Sequence, residues 1–156
     1  MKKDTELKLP DQMLREMQYE DFKAGCINIL ELDNEEIEAS LRGRECNPED
    51  VRRQYKKLYE TITPEEFNRQ KKEYEVNSRI KQGNELYKSK NLSEALEQFN
   101  KALDILDSTK DDAEQEELKV NLSNDTSFIY MEMKNYEMAI KVCNKVLYLT
   151  IRIDIS

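Results

Sequence analysis

The sequence contains no histidine and no tryptophan, and glycine, proline and cysteine each occur only three times in 156 residues. Without histidine, the commonest general base and the commonest metal ligand are both missing. The glycines (Gly25, Gly43 and Gly83) are far apart, so they cannot form a loop that cradles a phosphate. Asp, Glu and Lys alone can still perform acid and base chemistry. We nevertheless expect a non-catalytic protein with no metal or other cofactor.

Cysteine usage and hydropathy indicate a soluble intracellular protein. Cys26, Cys46 and Cys143 are odd in number and lack CxxC spacing, which favours free thiols in a reducing cytosol over a zinc site or a disulfide framework. The first residues include two lysines but no apolar run behind them, and no stretch approaches the ~18 apolar residues of a membrane span. We therefore expect a cytoplasmic location and no membrane partner.

Negative charge is concentrated at the start of the chain. The formal charge is −8, and residues 1–50 carry seven Lys/Arg and fourteen Asp/Glu, whereas residues 51–156 carry eighteen and nineteen. Nucleic acid binding requires a basic surface, so nucleic acid is not an expected partner. Carboxylates that are adjacent in sequence, such as Glu35-Glu36 and Asp111-Asp112, splay apart on a helix, which favours capping and solubility over catalysis.

The composition predicts an all-α protein, because charged residues make up 37% of the chain and turn formers are scarce. Asn47-Pro48 and Thr63-Pro64 each place a capping side chain before a proline at the first helical position. These signals predict helices from about Pro48 to Glu60 and from Pro64 to about Lys88. Later helices are expected from Asn91 to Leu106, from Asp112 to about Met133, and from Tyr136 to Leu149.

Four segments follow from this reading: an acidic helical segment at 1–46, a helical cap or extension at 47–76, a repeat region at 77–149, and a short β-branched tail at 150–156. In the first segment, residues 1–10 look loosely attached. A single helix from Pro10 is expected to run through residues 13–32. Asp33 or Asn34 is then expected to cap a helix that stops at Gly43.

Two stretches of the repeat region share one pattern, NELYKSKNLSEALEQFNKALDIL at 84–106 and MEMKNYEMAIKVCNKVLYL at 131–149. Aligning Ala95 with Ala139 places residues of related size opposite one another, as a close-packed helical hairpin requires. The other aligned pairs are Gly83 and Ser127, Leu92 and Tyr136, Leu96 and Ile140, Phe99 and Cys143, Ala102 and Val146, and Leu103 and Leu147. We interpret the two stretches as an internal repeat.

This pattern resembles the tetratricopeptide repeat, in which a small residue, an aromatic or Leu, then Ala, an aromatic, a small residue and Leu recur along two helices. The first copy, 77–106, fits it with Gly83, Leu92, Ala95, Phe99, Ala102 and Leu103. The second copy, 120–149, is looser, with Ser127, Tyr130, Tyr136, Ala139, Cys143, Val146 and Leu147. The resemblance implies that these residues form the core of a short α-solenoid of antiparallel helical hairpins.

The two copies depart from the family pattern in spacing. They lie 44 residues apart, where the usual period is about 34, so extra residues lengthen the helices around 107–118. Long joins of this kind are similar to those in immunophilin-like and co-chaperone repeat domains. No third repeat follows, although such arrays usually need about three units or caps. A cap formed by the helices from Asn47, a truncated chain and an end that docks on a partner all remain open.

The resemblance also implies a concave groove, lined by the first helix of each copy, that holds a partner peptide or helix. The function implied is a protein–protein interaction scaffold. Ordinary solvated surface is the alternative for each lining residue. The implied lining is Asn77, Ile80, Asn84, Tyr87 and Lys88 from the first copy, and Asn121, Asn124, Asp125, Phe128 and Met131 from the second.

Two other functions remain open. One branch of the family clamps the acidic C-terminal tails of heat-shock chaperones with Lys and Asn side chains. Asn84 matches that clamp, but Ile80 stands where the first Lys belongs, and Asp125 aligns with the second Asn. A carboxylate at that position would repel an acidic tail. The other alternative is a structural subunit of a large assembly, and the oligomeric state is left open.

Overall fold

The computed structural model describes residues 7–41, 47–108 and 113–155, and the described part of the chain contains helices and no strand. The all-α prediction is confirmed. The helices are α1 (Asp11–Glu16), α2 (Tyr19–Glu31), α3 (Asn34–Leu41), α4 (Pro48–Thr61), α5 (Pro64–Lys88), α6 (Leu92–Asp107), α7 (Ala113–Glu132) and α8 (Tyr136–Ile155).

The chain divides into two compact units, Met1–Tyr74 and Glu75–Ser156, and α5 contributes residues to both. In the first unit, α2 and α3 pack against α4, and in the second, α6 packs against α7 and α7 against α8. Each unit has its own core. Residues of the expected segments 1–46 and 47–76 share the core of the first unit, since Phe22 and Phe67 lie in one buried cluster, whereas Val76 belongs to the core of the second unit.

The predicted helix starts at Pro48 and Pro64 are confirmed. The Asn47 side chain accepts a hydrogen bond from the Glu49 amide at 2.9 Å, and the Thr63 hydroxyl accepts one from the Glu66 amide at 3.1 Å. These caps satisfy amides that have no partner within their own helix. Asp33 caps α3 in the same way, accepting from the Glu36 amide at 2.9 Å. The expected stop at Gly43 lies outside the described residues, as do Cys46 and the start at Asp112.

The prediction of one helix through residues 13–32 is wrong, because the chain is extended at Met17 and Gln18 between α1 and α2. The break is stabilised from a distant part of the sequence. The Lys71 ammonium on α5 donates hydrogen bonds to the carbonyls of Leu14 and Met17, at 2.8 and 2.6 Å. Carbonyls at the end of α1 that would otherwise continue a helical ladder are therefore satisfied by a side chain.

The expectation that the first ten residues are loosely attached is wrong for residues 7–10. Leu9 is buried in the core of the first unit. Its amide donates to the Gln70 side-chain oxygen at 2.8 Å, and the Gln70 amide group donates to the Leu7 carbonyl at 2.7 Å. Gln70 thus pairs with this segment as a neighbouring main chain would.

Aromatic rings form the centre of the first unit. The Phe22 and Phe67 rings stack with their centroids 5.3 Å apart, and Tyr19 meets Phe67 edge-on at 5.9 Å. Leu14, Cys26 and Ile62 complete the buried cluster. Burial raises the pKa of the Cys26 thiol, so this cysteine is an inert packing residue.

In the second unit, the core lies between the C-terminal part of α5 and helices α6 and α7. Gly83 allows α5 to approach α6, because a Cβ atom at this position would lie 2.7 Å from the Phe99 ring. Leu122 and Ile129 of α7 close the other side of the cluster. Of the positions that the repeat pattern assigns to the first hairpin, Leu92 is half-buried, and the buried ones are Gly83, Ala95, Phe99, Ala102 and Leu103.

The turns that join α5 to α6 and α7 to α8 have the same backbone geometry. Lys90 and Lys134 both adopt a left-handed conformation, with φ of 65° and 62°. In both turns the amide of the following asparagine donates to the carbonyl five residues earlier, at 2.9 Å in the first turn and 2.8 Å in the second. This closure is a Schellman motif. The two lysines are 44 residues apart, so the predicted repeat is present in the backbone.

Helix α8 continues past its predicted end. It runs to Ile155 rather than Leu149, so residues 150–155 are helical. The expected tail begins with Thr150, whose hydroxyl donates to the Val146 carbonyl at 2.8 Å and so continues the helical geometry. β-Branched residues in this stretch have modest helix propensity, but a long preceding helix offsets that small cost.

Candidate partner-binding groove

The implied groove residues lie on α5 and α7, and these two helices meet at the end of α5. The Tyr87 hydroxyl donates a hydrogen bond to the Glu132 carboxylate at 2.5 Å. Nine of the ten implied lining residues are exposed: Asn77, Asn84, Tyr87, Lys88, Asn121, Asn124, Asp125, Phe128 and Met131. Whether they touch a partner stays a prediction.

Ile80 differs from the other nine implied lining residues. It is half-buried and packs against the core of the second unit. Its aliphatic side chain therefore contributes to the contact between α5 and α6, and a lysine there would bring a charge to an apolar site. The structure accounts for Ile80 as a packing residue.

On α7, the exposed lining forms a continuous stripe. Asn121, Asn124, Phe128 and Met131 follow one another at spacings of three or four, so they lie on one side of the helix. The buried side is formed by Leu122, Ser123, Thr126 and Ile129. Small hydroxyl residues are part of that side, and the Thr126 hydroxyl donates to the Ser123 carbonyl at 2.7 Å.

The groove side of α7 also carries two acidic residues that the sequence pattern did not single out, Glu117 and Glu132, both exposed. Glu132 lies seven residues after Asp125, a spacing of two helical turns that puts both on one face. That spacing could have identified Glu132 from the sequence. Its contact with Tyr87 could not be found in this way, because it joins two helices 45 residues apart.

The carboxylates of Glu132 and Asp125 perturb the ionisation of the Tyr87 hydroxyl. The hydrogen bond to Glu132, then desolvation and the charges of Glu132 and Asp125, raise the pKa of Tyr87. Partial desolvation raises the pKa of the Asp125 carboxyl, although the residue remains exposed to solvent. The direction for Tyr87 reflects the carboxylates near it, whereas the direction for Asp125 reflects desolvation alone.

A shallow depression of about 380 Å³ adjoins Asn121, and Glu117, Val120 and Thr150 complete its lining. Only Val120 among these four is apolar. Small-molecule sites are mostly lined by apolar and aromatic side chains, so the depression is unlike a cofactor pocket. Within the described ranges, no group of three or more Cys, Asp or Glu side chains could hold a metal ion.

Part of the predicted repeat core is exposed, and for these residues the prediction is wrong. Ser127 and Ala139 of the second copy are buried, and Tyr130 and Val146 are half-buried. Tyr136 is 59% exposed, Leu147 is 61% exposed, and Cys143 is also exposed. These three lie along one side of α8, and no described helix covers it.

Comparison with known proteins identifies a repeat in this same region. Residues 127–150 match the family model described as tetratricopeptide repeat, from the end of α7 through most of α8. The searches of curated proteins and of solved structures returned no match. No described helix is long and apolar enough to cross a membrane.

Proposed function

We propose that this all-helical chain, in which residues 127–150 match the tetratricopeptide repeat, is a non-catalytic adaptor that binds a segment of a partner protein along the groove side of α5 and α7. The repeat itself indicates a protein–protein interaction module. The observation that carries the groove is the exposure of large apolar side chains there, with Phe128 62% and Met131 49% exposed. Tyr87 extends this surface onto α5.

Exposed apolar surface of this kind supports a binding role. A phenylalanine that remains mostly in water forgoes the stabilisation that burial would give. Neighbouring exposed apolar residues with a polar rim are typical of interaction sites. Here the rim is formed by Asn84, Asn121 and Asn124, whose amides can pair with an extended peptide backbone.

An acidic chaperone tail fits this groove less well. The position of the first clamp Lys is occupied by Ile80, which packs against the core, and exposed Asp125 stands where the resemblance places the second clamp Asn. Repulsion between carboxylates opposes such a ligand. We therefore place the chaperone cofactor after the general adaptor.

The second candidate function is that of a structural subunit in a larger assembly, and the exposed apolar side chains of α8 favour it. Ile140, Leu147, Tyr148 and Ile151 are all more than half exposed. An apolar surface of this kind in a lone chain promotes association. Sedimentation velocity of the isolated chain separates the candidates, because an adaptor is expected to sediment as a folded monomer and a subunit as self-associated material.

Selection of peptides from a random displayed library on the immobilised full chain tests the adaptor proposal. Peptides are expected to be enriched on the native chain and lost on Phe128→Ala. The matched control is Ile140→Ala on α8, because Ile140 is 61% exposed and lies outside the groove. Enrichment that survives Phe128→Ala, or that Ile140→Ala abolishes, would place binding elsewhere on the molecule.

A further inference from the structure

The exposed charge on α7 has one sign. The only cationic side chain between residues 115 and 132 is Lys119. It is 4% exposed and lies on the opposite side of the helix, 3.6 Å from the Glu116 carboxylate and 3.8 Å from Asp107. The exposed charged residues of this stretch are Glu117, Asp125 and Glu132.

These three carboxylates have no cationic partner among the described side chains. Some exposed acids on other helices are paired, Glu66 and Glu73 with Arg69 and Glu97 with Lys101. Among the described residues, the side-chain hydrogen bond that Glu132 accepts comes from the neutral Tyr87 hydroxyl. The groove side of α7 thus lacks the ion pairs that Arg69 and Lys101 make on α5 and α6.

Cationic side chains on the C-terminal part of α5 offset only part of this negative charge. Lys81, Glu85 and Lys88 are exposed there, and Arg79 is engaged with Gln98 at 3.0 Å and with Glu75 at 4.0 Å. Asp125 is exposed but partly desolvated, which raises its pKa, so a cation placed beside this carboxylate would replace hydration that is already partly lost.

The apolar residues lie between the acids. Phe128 is three residues after Asp125 and four before Glu132, so its ring is a neighbour of both on the helix surface. An exposed aromatic ring flanked by carboxylates suits a lysine or arginine, which can lie over the ring while its charged end pairs with an acid. Met131 adds an adaptable apolar contact beside it.

We propose that the groove of α5 and α7 selects a cationic peptide segment that carries an aliphatic or aromatic anchor. Its Lys or Arg side chains pair with Asp125 and Glu132, and its anchor packs against Phe128 and Met131. This proposal rests on the adaptor function above and specifies the chemistry of the partner. It also predicts rejection of acidic tails.

The charge of the selected peptides tests the proposed preference for cationic segments. Among displayed peptides that are lost on Phe128→Ala, Lys and Arg are expected to be enriched and Asp and Glu depleted. If groove-dependent peptides are neutral or acidic, the cationic preference is wrong and the adaptor function stands. If no peptide depends on Phe128, the adaptor function fails and this inference fails with it.

Affinity measurements on one enriched, fluorescently labelled peptide give the second test. Neutralising two acids by Asp125→Asn with Glu132→Gln is expected to weaken binding about tenfold, and added salt is expected to weaken it further in the native chain. The control, Glu94→Gln with Asp104→Asn on α6, makes the same change in net charge at exposed positions outside the groove. Equal losses in both double variants would show attraction to overall charge alone and overturn the proposal.

Discussion

The two hairpins of the second unit carry the same pattern, yet their outer sides differ in burial. Leu96 and Leu103 of α6 are 9% and 8% exposed, whereas their counterparts Ile140 and Leu147 of α8 are each 61% exposed. Leu122 of α7 lies in the same buried cluster as the α6 residues. The repeat pattern thus identifies which apolar side chains lie on the outer side of a hairpin. Whether those side chains are buried depends on whether another helix packs against that side.

Substitution of the equivalent leucines should give the largest difference between the hairpins. Leu103→Ala removes buried atoms and leaves a cavity, so we expect a loss of about 2–5 kcal/mol in the free energy of unfolding. Leu147→Ala should change it by no more than about 0.5 kcal/mol, because the side chain is mostly in water. Urea denaturation followed by circular dichroism measures both.

Comparable losses for the two variants would contradict the comparison. They would show that the outer side of α8 is covered in solution, and repeating the Leu147→Ala measurement over a range of protein concentrations would then test self-association as the cause.

Glycine substitution tests the close approach within the first hairpin. Gly83→Ala should lower the free energy of unfolding by about 1–3 kcal/mol, because the added Cβ collides with the buried Phe99 ring. Gly25 on α2 is the control, since an added Cβ there meets nothing within 4 Å. Gly25→Ala should raise stability by about 0.5–1 kcal/mol through the backbone effect alone. Thermal unfolding that shifts in the same direction for both variants would argue against this contact.

The turns, in contrast, should respond alike. Lys90→Gly and Lys134→Gly should each stabilise the chain by about 0.5–1 kcal/mol, because glycine adopts a left-handed conformation without the steric cost paid by lysine. The double variant should show the sum. A gain at one turn only, in denaturant titrations of the three variants, would mean that the turns are not equivalent.

Thiol labelling should have the smallest effect on stability. In a Cys46→Ser background, a bulky maleimide should modify exposed Cys143 quickly and leave the melting temperature unchanged, although Cys143 aligns with buried Phe99. Cys26 should react slowly, since it is buried and its raised pKa lowers the thiolate fraction. Mass spectrometry after timed labelling measures both rates. Protection of Cys143 would show that α8 is covered.

Local signals in the sequence predicted much of the fold. Prolines after capping residues fixed the starts of α4 and α5, and the spacing of Gly83, Ala95 and Phe99 predicted the first hairpin. These signals succeed because caps act between residues two or three positions apart, and the contact from Gly83 to Phe99 lies within one helical hairpin.

Features that depend on distant residues were missed. The break at Met17 is stabilised by Lys71, 54 residues away, and Leu9 is held by Gln70. The periodicity of α1 and α2 contains no trace of these partners. In the groove, the family resemblance implied Phe128 and Met131 as lining residues, and both are exposed, but the hydrogen bond between Tyr87 and Glu132 joins two helices and could not be read from the sequence.

Gln70 and Lys71, adjacent on α5, also have a consequence for motion. Together they bind the main chain of residues 7–17 at four carbonyl or amide groups, from Leu7 to Met17. Because these bonds are made to backbone atoms of residues 7–17, they depend on the side chains of Gln70 and Lys71 and not on the side chains of the segment itself. Residues 7–17 should therefore open as one cooperative unit, and the Leu9 amide should exchange its hydrogen at the rate of that opening.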